Sequence, residues 1–164
     1  MRGVLFAVFL AAASATVSAA DSYTSAVSAV HRDDYDFAAQ LFGPLAEQGH
    51  VGAQSFLGAL YANGQGVPQN YDMAGRWYRQ AAQQGDAAAQ FQLGVLYANG
   101  QGVPKDMIRA YLWLTVAVAG SRGNDVKTAI MNQTTVASDM TAAQIEQAQE
   151  MARHCQETQF VQCE

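Results

Sequence analysis

The stretch YANGQGVP occupies residues 61–68 and recurs unchanged at residues 97–104, 36 positions further along the chain. The match continues beyond the stretch, because Trp77 is repeated at the same offset as Trp113. Internal repetition with a period of 20–50 residues is typical of stacked supersecondary units, none of which can bury its apolar face alone. The sequence therefore predicts a repeat architecture.

Two helical patterns make up each unit. In the first, apolar residues at i, i+3, i+4, i+7 and i+8 from Ala53 lie on one helical face. Gly64 then supplies the left-handed conformation that ends a helix, and Pro68 prevents the helix from continuing. Asn70 is predicted to cap the second helix, which ends at Gly85. The unit is therefore predicted to be a helical hairpin.

Gly58 and Gly94 lie within predicted helices, where glycine costs up to about 1 kcal/mol relative to alanine. Because they recur at one repeat position, we expect each to let the partner helix approach closely. The repeated small residues and tryptophans are thus interpreted as packing devices.

These residues closely resemble the Sel1-like repeat, a relative of the tetratricopeptide repeat. The resemblance rests on A-Q-x-x-L-G-x-L-Y-x-x-G-x-G-V-P followed by A-x-x-W-Y-x-x-A-A-x-x-G at 53–85, which returns at 89–117. In the second copy, Leu114 and Val118 replace the usual tyrosine and alanine. The resemblance implies an all-α fold, a short right-handed α-solenoid of antiparallel helix pairs with about seven or eight helices.

The ends of the chain are predicted to be caps around the repeats. We expect helices over 22–31 and 34–47, with Pro44 interrupting or kinking the latter, and a Thr141 capping box opening the last helix. The apolar stretch 111–119 needs a cover on every side. The predicted organisation is a single domain, 21–164, divided into an N-terminal cap and half repeat (22–50), two repeats (51–86 and 87–122) and C-terminal capping helices (123–164).

Residues 1–20 have the pattern of a cleavable signal peptide. Arg2 precedes the apolar run 4–13, and Ser18-Ala19-Ala20 fits a signal-peptidase site, so the mature chain is expected to begin at Asp21. The alternative is a membrane anchor, for which the run is short, since spanning takes about 20 apolar residues. We therefore expect a periplasmic or secreted protein with no membrane insertion after cleavage.

Cys155 and Cys163 are the two cysteines of the chain. In an exported protein such a pair is expected to form a disulfide, here holding the tail against the last helix. The alternative is two free thiols.

Composition and motifs offer little for catalysis. Charged residues make up 14% of the chain, the net charge is −5 and the sequence pI is about 5.0, which argues against nucleic-acid binding. His31, His50 and His154 have no second ligand at i+3 or i+4, so we expect surface histidines and no metal site. No nucleophile has a recognisable base, and the Gly-x-Gly stretches lack the strand and lysine of a phosphate loop. We predict a non-enzymatic protein without cofactors.

By analogy with tetratricopeptide stacks, the first helix of each hairpin lines the concave side. The candidate partner-binding residues on these helices are Gln54, Ser55, Ala59, Gln90, Phe91 and Val95. An apolar patch of this kind fits a partner helix or an extended peptide. The alternative for Phe91 is the core between repeats, because Gln92 stands where the first unit has Phe56.

The resemblance implies an adaptor, since Sel1-like proteins typically bind other proteins. We expect a monomer that binds a protein or peptide on its curved face, and some exported members of similar size act as immunity proteins against envelope-targeting toxins. The alternative is a cell-wall peptide or β-lactam binding protein with weak β-lactamase activity, as described for cysteine-rich members. Those members carry a disulfide within each repeat, whereas both repeats here contain no cysteine. A third hypothesis is a stabiliser of a larger envelope complex.

Overall fold

The computed structural model describes residues 18–163, and the regular secondary structure in this part of the chain is all α-helical. It contains eight helices and no strand, in agreement with the predicted solenoid. In chain order they are α1 (Ala19–Val30), α2 (Tyr35–Glu47), α3 (Val51–Asn63), α4 (Tyr71–Ala82), α5 (Ala87–Asn99), α6 (Met107–Gly120), α7 (Asn124–Ser138) and α8 (Ala142–Glu157).

Successive helices form the hairpins α1–α2, α3–α4 and α5–α6, and each hairpin packs on the next through α2–α3 and α4–α5. The apolar residues form two clusters, one around the first hairpin and α3 and the other from α4 to the C-terminus. The stacking predicted from the 36-residue period is therefore present. Helix α2 runs on through Pro44 to Glu47, so of the two alternatives expected for this proline, an interruption is excluded.

The loops inside the two repeats are built as the sequence predicts. Gly64 and Gly100 end α3 and α5 in the left-handed conformation, with φ of 67° and 68°. Asn70 and Asp106 then cap α4 and α6 by accepting backbone N–H groups three residues later. Because both loops use the same residue types at the same positions, the two hairpins turn in the same way.

The helical glycines are points of close contact within each hairpin. A Cβ added at Gly58 would lie 2.7 Å from the ring of Tyr78, and one at Gly94 would lie 2.8 Å from Cγ of Leu114. Tyr78 and Leu114 occupy equivalent repeat positions. The expectation that these glycines bring two helices together is confirmed.

A second pair of glycines joins neighbouring units. Gly66 and Gly102 have φ of 66°, and a Cβ at either would lie 2.1 Å from a backbone carbonyl oxygen, that of Tyr35 or of Tyr71 respectively. Those tyrosines are the first residues of α2 and α4. Each loop therefore rests directly on the backbone of the preceding hairpin.

Helix α6 is covered on both sides by the C-terminal helices, as its apolar sequence requires. Leu112, Trp113 and Leu114 are fully buried, and α6 packs against both α7 and α8. Helix α8 begins with the predicted capping box of Thr141 and Gln144. These two helices close the end of the stack.

A disulfide links Cys155 in α8 to Cys163, whose Cα atoms are 4.5 Å apart, and both residues are buried. The intervening tail places the ring of Phe160 3.1 Å from where a Cβ of Gly85 would stand, at the turn between α4 and α5. Gln159 and Phe160 have φ of 51° and 67°. The bridge thus holds a turn with strained backbone against the middle of the stack.

Replacing both Cys155 and Cys163 by alanine is expected to lower the free energy of unfolding by about 2–3 kcal/mol, because the nine-residue ring no longer restricts the unfolded chain. Urea denaturation measures the loss. The matched control is the wild-type protein in reductant, which should show the same midpoint as the double variant. An unchanged midpoint in the variant would contradict the expectation.

Candidate functional site

One face of the stack, here called the groove, is formed mainly by the first helices of the hairpins. It contains two adjoining depressions that share Ala88 and Gln92. The Tyr23 pocket, of about 310 Å³, is lined by Tyr23, Gly52, Ser55, Phe56, Ala59, Tyr78, Asp86, Ala88 and Gln92. The Arg122 pocket, of about 460 Å³, is lined by Ala87, Ala88, Phe91, Gln92, Gly120, Ser121, Arg122, Asp125 and Thr128.

Aromatic rings form one end of the groove. Tyr23 stacks on His50 with ring centroids 4.3 Å apart, and Phe42 stacks on Phe56 at 5.0 Å. A Cβ at Gly52 would lie 2.4 Å from the Tyr23 hydroxyl, so glycine makes room for this ring. The first helix of the N-terminal cap is thereby fixed on α3 and contributes to the groove.

Asp86 supplies the charge of the Tyr23 pocket. Its Oδ1 caps α5 by accepting the N–H of Ala89 at 2.7 Å and also accepts the hydroxyl of Ser55 at 3.1 Å. Burial, and secondarily the negative charge of Asp86, raise the pKa of Tyr23. Tyr23 therefore keeps its phenolic proton and remains a hydrogen-bond donor at neutral pH.

The Arg122 pocket lies where α5, α6 and α7 meet. Arg122 and Asp125 are both exposed there, and the N-cap residue of α7 is Gly123, which has no side chain to accept the first amides of the helix. Phe91 lines this pocket while packing in part against the core, and its contact with a partner remains a prediction. The pocket thus pairs an apolar wall with both signs of charge.

The remaining predicted partner-binding residues divide into two groups. Ser55 and Ala59 line the Tyr23 pocket and are half-buried. Val95 is also half-buried, but lies outside the linings of both pockets. Their contact with a partner remains a prediction.

Gln54 and Gln90 require a correction, because the structure places neither on the surface. Their exposed fractions are 3% and 1%, and each side-chain amide donates to a carbonyl at the end of the preceding helix, Ala46 or Ala82, at 3.1 Å. Gln54 also exchanges hydrogen bonds with the Gln80 and Gln84 side chains. Both glutamines therefore join one hairpin to the next and are not available to a partner.

Gln90→Leu is expected to lower the free energy of unfolding by about 1 kcal/mol, since the carbonyl of Ala82 loses one of its two donors and keeps the N–H of Gly85. Thermal or urea denaturation measures the change. Gln92→Leu, an exposed neighbour on the same helix, is the control and should be nearly neutral. Equal losses of stability in Gln90→Leu and Gln92→Leu would contradict the role of Gln90 in joining the two hairpins.

The histidines behave differently from one another. His31 and His154 are exposed as expected, whereas His50 is half-buried and caps α3 by accepting the N–H of Ala53 at Nδ1. Within residues 18–163 there is no group of three or more residues placed to hold a metal ion. In the same range, none of the helices is long and apolar enough to cross a membrane.

Sequence reasoning did not single out Tyr23, Asp86 and Arg122 as groove residues. A signal was available for two of them, because Asp86 and Arg122 are 36 residues apart and occupy the repeat position that His50 has one unit earlier. Around His50 and Asp86 the position changes while neighbours such as Gly49 and Gly85 recur. Tyr23 has no such signal, since its role depends on how the cap packs on α3.

The fold defines the class of the protein, a short solenoid of helical hairpins closed by capping helices. Within that class, the family model described as "Sel1 repeat" matches residues 51–86 and 87–120, so the chain carries two Sel1 repeats. Among curated proteins, none matches the chain. Sel1 repeat proteins generally mediate interactions between proteins, and the family is generally of the non-enzymatic adaptor type.

Solved structures with the same fold include larger proteins. One is a protective antigen present in uropathogenic Escherichia coli strains that displays an SLR fold, with a TM-score of 0.78 and 26% identity over 87% of this chain and 32% of that chain. Another is a Sel1 repeat protein from Oxalobacter formigenes, with a TM-score of 0.60 and 31% identity over 65% of this chain and 44% of that chain. The chain thus spans a third to under a half of their lengths.

Proposed function

We propose that the protein is a non-enzymatic adaptor that binds a protein or peptide partner in the groove. The continuity of the groove carries this proposal, since two adjoining pockets with apolar walls run across three hairpins and the start of α7. Such a surface fits a helix or an extended segment better than a small molecule, which is usually enclosed. The presence of two Sel1 repeats supports the same role.

The proposed location is the periplasm or the exterior of the cell. The disulfide supports it, because such bonds persist in oxidising compartments. Most of the predicted signal peptide lies outside the described residues; Ser18 caps α1, and Ala19 and Ala20 are its first residues. Cleavage before Asp21 would shorten α1 by two residues and leave Tyr23 in the helix.

A finer form of this proposal makes the chain an immunity protein whose partner is an envelope-targeting toxin. The expected result is that the purified chain forms a stable complex with a toxin encoded beside its gene and protects cells from it. If the chain bound no such toxin, the immunity role would be excluded and the general adaptor role would stand.

Site-specific photocrosslinking tests the binding face. A photoreactive residue at Ala88, which is exposed and lines both pockets, is expected to give crosslinks to a discrete partner in the cells that produce the protein. The same residue at Arg76, exposed on α4, is the control. If crosslinks formed at Arg76 and not at Ala88, the partner would bind the other face of the stack, and the proposal would be overturned.

A further inference from the structure

We propose that the groove selects its partner by charge, with Asp86 accepting a lysine or arginine side chain of a bound peptide segment. An apolar residue next to that basic residue packs against Phe56 and Ala59. This inference rests on the proposed function, because it takes the groove as the surface where the partner binds.

The first observation is the contrast between constant and changing repeat positions. Gly58 and Gly94 are identical because helix packing requires glycine, whereas one position at the 36-residue period reads His50, Asp86 and Arg122. The first two cap α3 and α5, and Arg122 directly precedes Gly123, the N-cap of α7. A histidine caps α3 and an aspartate caps α5, so the cap does not dictate the charge at this position. Asp86 and Arg122 line the two pockets, so this position places a negative charge in one pocket and a positive charge in the other.

The second observation is that the carboxylate of Asp86 lacks a cationic partner. Both of its hydrogen bonds end on Oδ1, from the Ala89 amide and the Ser55 hydroxyl, and no salt bridge involves this residue within the described chain. The residue is half-buried, so its charge is less hydrated than that of an exposed aspartate. A hydrogen-bonded cation at Oδ2 would be a charge-assisted contact, about twice as strong as a neutral one.

The surroundings of Asp86 favour a segment with basic and apolar residues together. The pocket walls beside it are the rings of Tyr23 and Phe56 and the methyl group of Ala59. In the adjoining pocket, Arg122 is accompanied by Asp125, so the excess negative charge of the groove lies at Asp86. The net charge of −5 acts in the same direction at longer range.

The test uses a displayed library of random peptides about 12 residues long, selected on the full purified chain. The recovered peptides are expected to share a basic residue beside an apolar one. Their affinity, measured by fluorescence polarisation, should fall about tenfold or more for Asp86→Asn, since the bond loses its charge. Replacing the basic residue of the peptide by glutamine should cost the same factor on the wild-type chain and little on the variant.

The variants are chosen so that folding is preserved. Asparagine caps helices as well as aspartate does, so Asp86→Asn keeps the start of α5. Asp34→Asn is the matched control, because Asp34 caps α2 in the same way, is exposed, and lies outside the groove. It removes the same charge and should leave the peptide affinity unchanged.

A third variant separates failure of this inference from failure of the proposed function. Ala59→Arg fills the Tyr23 pocket and should abolish peptide binding. If it does so while Asp86→Asn binds as tightly as wild type, charge selection is overturned and the groove remains the binding surface. If the peptides bind regardless of Ala59→Arg, or if the library yields no binder, the groove proposal fails as well.

Discussion

Gly102→Ala is expected to lower the free energy of unfolding by about 3 kcal/mol, more than the same substitution at Gly49. Its φ of 66° strains any residue with a Cβ by roughly 1–2 kcal/mol. The added carbon would also lie 2.1 Å from the carbonyl oxygen of Tyr71, so the loop must move off the preceding hairpin, at a further cost of about 1–3 kcal/mol. Urea denaturation monitored by circular dichroism measures the sum.

Gly49→Ala is the control that isolates the strain. Gly49 has φ of 87°, but no atom lies within 4 Å of where its Cβ would be. The free energy of unfolding of Gly49→Ala should therefore fall only by the strain of the backbone conformation, about 1–2 kcal/mol. If the two variants lost the same stability, the close contact between the loop and Tyr71 would carry no energy and the account of unit stacking would be wrong.

Trp113→Ala is expected to lower the free energy of unfolding by about 3–5 kcal/mol, as for other fully buried aromatic residues. Trp113 is completely buried in α6, a helix that packs against α5, α7 and α8. The loss should appear as a lower midpoint in urea with little change in slope, if the variant remains two-state.

Trp77→Ala is the comparison, because Trp77 has the same repeat position in α4 but is only half-buried. We expect a smaller loss there, since less apolar area returns to water. Trp113→Phe should recover most of the stability, as it restores the ring and removes an indole N–H that has no partner within the described chain. A larger loss at Trp77 than at Trp113 would contradict the capping role of α7 and α8.

Much of the fold follows from the repeated residues, because each has a local physical reason. Gly64 and Gly100 are needed where a helix ends in the left-handed conformation, and Asn70 and Asp106 can satisfy the amides that open the next helix. These requirements are short-range. They can therefore be recognised before any tertiary contact is known.

The groove was predicted less well, because its composition depends on contacts between units. Gln54 and Gln90 look like surface amides by composition, and are buried because the hairpin geometry brings a helix-end carbonyl within reach of each. Their identity across repeats was the available signal, since residues that recur here are architectural. Tyr23 enters the groove only through the docking of α1 on α3.

Phe160 lies between the disulfide-closed tail and the turn that joins the two repeats. The aromatic ring of Phe160 fills the space over Gly85, the residue that directly precedes Asp86. The loop closed by the disulfide therefore packs against the turn between the two repeats. Reducing the bond would release this ring from the turn that precedes α5.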